Sequence, residues 1–134
     1  MRLTGTGCRE RMAGARVARL ATVGAGRPHL VPITFALTGD LLVTGVDQKP
    51  KSTTNLRRLR NIAENPAVSV LCDHYDDDWT RLWWVRADGR AEVVASGNGW
   101  AIDALAAKYE QYRSEPPAGP LIIVTIESWT GWAA

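Results

Sequence analysis

The chain has 134 residues, of which 46% are hydrophobic and 22% charged, and its net charge is +2. This size and composition predict one globular domain, residues 1–134, and the small net charge argues against a general binder of polyanions. No apolar run approaches the roughly 20 residues of a membrane span. Because residues 1–12 also lack the pattern of a signal peptide, we expect a cytoplasmic protein with no membrane partner.

The first half of the chain predicts a helix and three strands. Residues 6–15 mix arginines with apolar positions as a short helix does, and residues 17–23 alternate as a strand does. After a glycine turn, residues 29–37 form a second predicted strand and residues 41–46 a third. Pro32 cannot donate to a ladder, so we expect the second strand at an edge, or with a bulge or an irregular turn.

The second half predicts two more helices and at least three more strands. The helices are residues 53–64 and 96–113, and the strand segments are residues 67–73, 80–94 and 121–126. Ser52 or Thr53 is the expected N-cap of the first of these helices, and Asn65-Pro66 ends it. Asp88-Gly89 predicts a turn or a bulge inside the long strand segment.

This order of elements indicates the fold class. About six mostly antiparallel strands with meander connections, and only two substantial helices, predict a mainly β protein: an antiparallel β-barrel with peripheral helices. A doubly wound sheet is disfavoured, because regular alternation of strands and helices is absent from the predicted order. The sequence also lacks GxxxxGK[ST] and GxGxxG, so neither of these nucleotide-binding motifs applies.

A basic segment precedes the predicted helix of residues 53–64. Lys49 and Lys51 flank Pro50 and are followed by three hydroxyl residues. The N-terminus of a helix offers unpaired N–H groups and a positive dipole end, so this segment is a candidate phosphate site. The alternative interpretation, lysines solvated on a loop, stays open. The helix itself carries arginines that we expect mostly on its solvated face: Arg57, Arg58 and Arg60.

Tryptophans cluster in two regions. Trp83 and Trp84 are adjacent in a predicted strand, so their side chains should point to opposite faces, one into the core and one toward a groove or a partner. Trp129 and Trp132 lie beyond the last predicted strand. They are expected either to cap the barrel or to reach across a dimer.

No residue pattern identifies a catalytic group or a metal site. Cys8 and Cys72 have no second thiol or histidine at ligand spacing, so we expect two free thiols, with Cys72 buried. The three consecutive carboxylates of residues 76–78 favour a solvated loop over a metal site. His29 is interpreted as structural, because a histidine in a strand is weak evidence for proton transfer.

The chain resembles a known family in the order of its elements. Residues 26–33 follow a turn, a strand ends at Val46, a basic loop follows, and a helix closes at Asn65-Pro66. Together with the aromatic and acidic stretch 73–85, this resembles the pyridoxamine 5'-phosphate oxidase-like (PPOX class) family of FMN-binding split barrels. More narrowly, it is similar to the actinobacterial branch of coenzyme F420-dependent oxidoreductases.

The resemblance implies a split β-barrel that forms a homodimer, with FMN or the deazaflavin coenzyme F420 bound in grooves at the subunit interface. It assigns the ring system to Val31, Pro32 and Ile33, with Thr44 and Gly45 beside the cofactor. It assigns the phosphate to Lys49, Lys51, Ser52 and Asn55, the cofactor tail to Arg57 or Arg58, and a ring contact in the other subunit to Trp132.

The function that the resemblance implies is an F420-dependent oxidoreductase, which transfers a hydride between the cofactor and a small electron-poor organic substrate. One alternative is an FMN-dependent oxidase or reductase of the same fold, and another is a non-catalytic carrier of F420 or a flavin. A nucleic-acid module using the arginines and tryptophans is disfavoured by the modest net charge and the acidic loop.

Overall fold

The computed structural model describes residues 1–46, 56–95 and 98–134. Within these ranges the chain forms four α-helices, one short 3₁₀ helix and seven β-strands. The helices are α1 Gly5–Gly14, α2 Arg57–Glu64, α3 Gly99–Lys108 and α4 Glu110–Ser114, and the 3₁₀ helix is Trp79–Arg81. The strands are β1 Ala18–Gly24, β2 Arg27–Ile33, β3 Ala36–Thr38, β4 Leu41–Gly45, β5 Ala67–His74, β6 Trp83–Val94 and β7 Leu121–Ala133.

The strands form one antiparallel sheet in the order β2-β1-β5-β6-β7-β4-β3. Strands β2 and β3 occupy its two edges, although Ile33 ends β2 and Ala36 begins β3. Three residue steps span at most about 11 Å, so the two edges must come together there without pairing. The sheet is therefore curled into a split barrel, which confirms the predicted mainly β class with peripheral helices.

The core has two parts, separated by the sheet. The interior of the barrel holds large buried side chains, among them Phe35, Leu20 and Val70. A second cluster lies on the outside, where α3 places Leu105 against Leu121. Both faces of β7 are therefore covered at its start, which explains why its first four residues form a continuous apolar run.

Helix α2 is held to the barrel by a buried polar contact. The Nδ2 group of Asn61 donates a hydrogen bond of 3.0 Å to Oγ1 of Thr22 on β1, and both residues are buried. The helix approaches β1 so closely that a Cβ at Gly24 would lie 1.9 Å from Oδ1 of Asn61. The glycine thus allows the side chain of Asn61 to enter the barrel wall.

Several sequence predictions are confirmed. Strand β2, which contains Pro32, is an edge strand, and the pairing of β6 with β7 shifts register between Asp88 and Gly89. Cys8 and Cys72 are free and buried. Burial raises the pKa of the Cys72 thiol to about 12, which makes it a small core side chain and a poor nucleophile.

Two helix predictions were wrong. Helix α2 begins at Arg57 with Leu56 as its N-cap, because Leu56 is extended at φ −66°, ψ 144° and packs against the core. The predicted caps Ser52 and Thr53 lie outside the described residues. The predicted helix 96–113 is two helices, α3 and α4. Tyr109 between them is extended at φ −119°, ψ 122°, because its hydroxyl group is fixed by tertiary hydrogen bonds. Residues 96 and 97 lie outside the described residues.

Two strand predictions also needed correction. The predicted strand 29–37 is two strands, since the chain crosses from one sheet edge to the other at residues 34 and 35. The last strand does not end at Ile126: β7 continues to Ala133 because β6 pairs with it along nearly its full length. Trp129 and Trp132 therefore lie within a strand.

Among the described residues, no helix is both long enough and apolar enough to cross a membrane.

Candidate functional site

A groove of about 230 Å³ opens where the two sheet edges meet. Its walls come from β2, the link to β3, the end of β4, and helices α2 and α4. The lining residues are Val17, Pro32, Ile33, Thr34, Thr44, Gly45, Arg58 and Tyr112.

The topology explains why these residues meet. Pro32 and Ile33 are the last residues of edge strand β2, and Thr44 and Gly45 are the last residues of β4, which pairs with the opposite edge strand β3. The short link through Thr34 brings the two edges together. Four of the residues that the resemblance assigns to a cofactor thus line one groove, although their roles stay predictions.

Other predicted site residues lie elsewhere. Val31 is half-buried, packs against the main core and is not among the residues that line the groove. Arg57 is exposed at the start of α2 and does not line the groove, whereas the next residue, Arg58, does. The predicted phosphate ligands lie outside the described residues: Lys49, Lys51, Ser52 and Asn55.

Trp132 is far from the groove of its own chain. Leu121, the first residue of β7, pairs with Gly45 in the groove, whereas Trp132 lies near the other end of β7 and pairs with Trp84. Eleven residue steps along a strand span on the order of 35 Å. Trp132 is 40% exposed, so within a dimer it would be available only to a partner. Trp83 lies on the opposite face of β6 from Trp84 and packs against the main core, as expected.

Sequence reasoning missed Thr34 and Tyr112. Oγ1 of Thr34 and the hydroxyl of Tyr112 form a hydrogen bond of 2.8 Å across 78 positions of the chain. The sequence placed Thr34 in the middle of a strand and Tyr112 in a long helix, and no local pattern brings them together. The only local signal was Pro32, which indicated an irregular backbone near Thr34.

Tyr109 anchors the wall next to this pair. Its hydroxyl donates a hydrogen bond of 2.8 Å to the carbonyl of Arg16 and accepts one of 3.1 Å from the N–H of Phe35. Burial raises the pKa of Tyr109, so the phenol stays protonated near neutral pH. The ring of Tyr112 meets that of Tyr109 edge-on, at a centroid distance of 5.7 Å and an angle of 88°.

Lys108 is the most perturbed cation among the described residues. Its Nζ lies 3.8 Å from the centroid of the Phe35 ring and has no hydrogen-bond partner in the described part of the chain. Burial, together with the positive charge of Arg16, lowers the pKa of Lys108 to about 8. The cation–π contact offsets only part of the cost of burying this charge.

The acidic loop is organised as a turn. Oδ1 of Asp78 accepts hydrogen bonds from the N–H and the hydroxyl of Thr80 and caps the 3₁₀ helix. Oδ2 of Asp76 lies 2.9 Å from Nε2 of His74. In the described ranges, no three His, Cys, Asp or Glu side chains are grouped as metal ligands would be.

A comparison with known protein families identifies one family for this chain. The family model described as pyridoxamine 5'-phosphate oxidase matches residues 6–133. No curated protein matches the sequence.

Solved structures show the same fold. An FAD-binding protein from Mesorhizobium loti is 24% identical, with a TM-score of 0.72 over 98% of this chain and 95% of that one. The FAD-binding protein from Mycobacterium smegmatis is 18% identical, with a TM-score of 0.64 over 98% and 96%. A conserved hypothetical protein from Mycobacterium tuberculosis is 19% identical, with a TM-score of 0.76 over 98% and 85%.

Proposed function

Because the chain belongs to the pyridoxamine 5'-phosphate oxidase family, we propose that it is an oxidoreductase that binds a flavin-type cofactor in the groove described above. Coenzyme F420 is our first candidate, on the resemblance to the actinobacterial branch. The reaction would transfer a hydride between the cofactor and a small electron-poor organic substrate. The observation that carries the proposal is the meeting of Pro32, Ile33, Thr44 and Gly45 in one groove.

The lining residues fit such a cofactor chemically. Pro32 and Ile33 offer an apolar surface for one face of a ring system. Thr34 and Thr44 supply hydroxyl groups, which suit the polar edge of a flavin or deazaflavin. The guanidinium of Arg58 suits a phosphate, and Lys49 and Lys51 remain predicted phosphate ligands outside the described residues.

The groove of one chain is too small to be a complete site. Its volume of about 230 Å³ is below the roughly 300 to 1,000 Å³ of typical ligand sites. A homodimer with the groove at its interface would enlarge the site, and the exposed Trp132 is our candidate for the contribution of the partner subunit.

The bound cofactor would supply the hydride chemistry. The protein would then need to orient the ring and keep water away from it. Pro32 and Ile33 would exclude water from one ring face, and Arg58 would fix the phosphorylated end. No side chain has to act as a nucleophile, which agrees with the inert, buried state of Cys72.

Titration with oxidised F420 and, separately, with FMN tests the proposal. We expect saturable binding of one cofactor, monitored by calorimetry, and weaker binding in Lys51→Ala and Arg58→Gln. Losing one charge-assisted hydrogen bond to phosphate should cost affinity by about tenfold or more. Arg60→Gln, an exposed arginine on the same helix, is the matched control. Absence of saturable binding for both cofactors would refute the proposal.

FMN is the second candidate, as the resemblance implies, and two structural relatives described as FAD-binding proteins also favour a flavin. A tightly bound flavin would make the purified protein yellow, and the colour would survive desalting. F420 bound without turnover of any quinone or enone would instead support a carrier of the cofactor.

A further inference from the structure

A second cavity adjoins the groove, and we propose that it binds a small zwitterion, the chemical class of free amino acids and dipeptides. This inference goes beyond the function proposed above, because it concerns a second ligand and requires no cofactor. The cavity has a volume of about 450 Å³, within the usual range for small-molecule sites. Its lining residues are Arg16, Thr34, Tyr109, Gln111, Tyr112 and Glu115.

Two opposite charges line this cavity without pairing with each other. In the part of the chain that the structure describes, neither Arg16 nor Glu115 forms an ion pair. Both residues are exposed, so a ligand can reach them from solvent. A ligand that carries both a carboxylate and an ammonium group would supply a partner for each.

Arg16 is held in place before a ligand binds. Its carbonyl accepts a hydrogen bond of 2.8 Å from the hydroxyl of Tyr109, and its Nη1 donates one of 3.2 Å to the carbonyl of Lys108. Its guanidinium also lies 4.7 Å from the centroid of the Tyr109 ring. Nε and Nη2 of Arg16 make no hydrogen bond to a described residue, so they are available to a carboxylate. Because the side chain is already ordered, binding loses less conformational entropy.

A second cation adds to the positive side of the cavity. Nζ of Lys108 lies 5.4 Å from the centroid of the Tyr109 ring, the ring that the Arg16 guanidinium also contacts. No carboxylate of a described residue forms an ion pair with either cation. This wall therefore carries an excess of positive charge that a ligand carboxylate would offset. Glu115, the C-cap residue of α4, supplies the negative charge for the ammonium group.

This charge arrangement disfavours other ligand classes. A neutral ligand would leave both charges without a partner, a simple anion would be repelled by Glu115, and a simple cation by Arg16 and Lys108. Thr34 and Tyr112 together carry two hydroxyl hydrogens, and their mutual hydrogen bond uses only one of them. The other can be donated to an amide oxygen of the ligand, so glutamine and glycyl-glutamine are suitable probes.

Titration with L-glutamine and with glycyl-L-glutamine tests the proposal. We would label tyrosine with ¹³C and work at about pH 6.5, where an α-amino group stays protonated. The signals of Tyr109 and Tyr112 should shift in a saturable way, whereas those of Tyr75, 63% exposed and outside the cavity, should not. Exposed ion pairs contribute little each, so we expect a dissociation constant on the order of millimolar.

Either zwitterion is sufficient for a positive result. Saturable binding of one or both supports the proposal, and the tighter of the two distinguishes a free amino acid from a dipeptide. If neither compound shifted Tyr109 or Tyr112 in a saturable way, or if the shifts were restricted to Tyr75, the proposal would be overturned.

Ligands that lack one charge test the two ionic contacts in the wild-type protein. N-acetyl-L-glutamine has no ammonium group, and L-glutaminamide has no carboxylate. Each should bind at least about threefold more weakly than L-glutamine, the loss expected for one accessible charge-assisted contact. Equal affinities for the three compounds would overturn the proposal, and this comparison does not depend on the folding of any variant.

Variants assign each charge of the ligand to a residue. Arg16→Gln should weaken L-glutamine binding at least about threefold and remove the preference over L-glutaminamide. Glu115→Gln should do so equally and remove the preference over N-acetyl-L-glutamine. Arg19→Gln and Glu110→Gln, exposed residues outside the cavity, are the matched controls. Unchanged L-glutamine affinity in both test variants would overturn this proposal, whereas the cofactor titrations described above decide the proposed function independently.

Discussion

The side-chain amide of Asn61 on α2 donates a hydrogen bond to the hydroxyl of Thr22 on β1, and the exposed fractions of the two residues are 4% and 1%. This contact lies between the barrel and the helix that carries Arg58 into the groove. A buried polar pair is satisfied only while both partners are present. The position of α2, and with it one wall of the groove, therefore depends on this pair.

Asn61→Ala should lower the free energy of unfolding by about 2 to 3 kcal/mol, because Thr22 loses its buried partner and a small cavity forms. Urea denaturation of Asn61→Ala, Thr22→Val and the double variant would measure the coupling. We expect the double variant to be more stable than the sum of the two single changes predicts, by about 1 kcal/mol. Additive effects would mean that the two side chains do not interact. Asn65→Ala, at the exposed C-cap of the same helix, loses only an exposed hydrogen bond from the N–H of Ala67, so it is a control with a smaller expected cost.

Gly24→Ala should be strongly destabilising for a purely steric reason. Gly24 is not among the described glycines with positive φ, so its backbone accepts alanine, but the new Cβ would overlap with Oδ1 of Asn61. We expect a loss of about 2 kcal/mol or more, typical of overpacking. In the Asn61→Ala background the same change should cost much less, since the overlapping atom is gone. An equal cost in both backgrounds, measured by urea denaturation, would contradict the close approach of α2 to β1.

The sequence predicted the strands well where the apolar pattern was local. Residues 67–73 and 121–126 were found because alternation or a continuous apolar run reflects burial directly. The failures were tertiary in origin. The extended conformation of Tyr109 depends on contacts with Arg16 and Phe35, more than 70 positions away, and the extension of β7 depends on its partner β6.

The candidate site shows the same division. The resemblance identified Pro32, Ile33, Thr44 and Gly45, all at strand ends whose order along the chain was visible in the sequence. Arg58 and Tyr112 depend on how two helices are seated against the barrel, which local patterns do not specify. Neighbouring residues such as Arg57 and Arg58 differ in direction by about 100° on a helix, so the choice between them required the actual start of α2.

Lys108→Met should stabilise the protein at neutral pH. The folded-state pKa of Lys108, about 8, lies below its ordinary value of 10.5, so the folded protein binds this proton less tightly than the unfolded chain does. The charged Lys108 therefore destabilises the wild type fully below pH 8. This destabilisation disappears as the pH rises to about 10.5, because stability increases with pH wherever the unfolded state binds more protons. Allowing for partial exposure and the contact with Phe35, we expect a gain of about 1 kcal/mol at pH 7.

The measurement for Lys108 is the difference between wild type and variant in urea denaturation from pH 7 to pH 10.5. Cys72 acts in the opposite direction above pH 9, since its pKa is raised on folding, but both proteins contain it and its effect largely cancels in the difference. If the difference in free energy of unfolding did not narrow with increasing pH, the charge of Lys108 would not destabilise the folded state. Lys108→Arg should stay less stable than Lys108→Met across this pH range, because a guanidinium stays protonated.

Tyr109→Phe should lower the free energy of unfolding by about 2 to 3 kcal/mol. The change removes one hydroxyl but leaves two backbone groups without their partner, the N–H of Phe35 and the carbonyl of Arg16, and an unsatisfied buried group costs about 1 to 3 kcal/mol. Tyr112→Phe, whose hydroxyl contacts only Thr34 among the described hydrogen bonds, should cost less than half as much, and Tyr75→Phe almost nothing. Thermal denaturation of the three variants under identical conditions provides the ranking. If Tyr109→Phe were no more destabilising than Tyr112→Phe, its hydroxyl would not be what holds the break between α3 and α4 against the barrel.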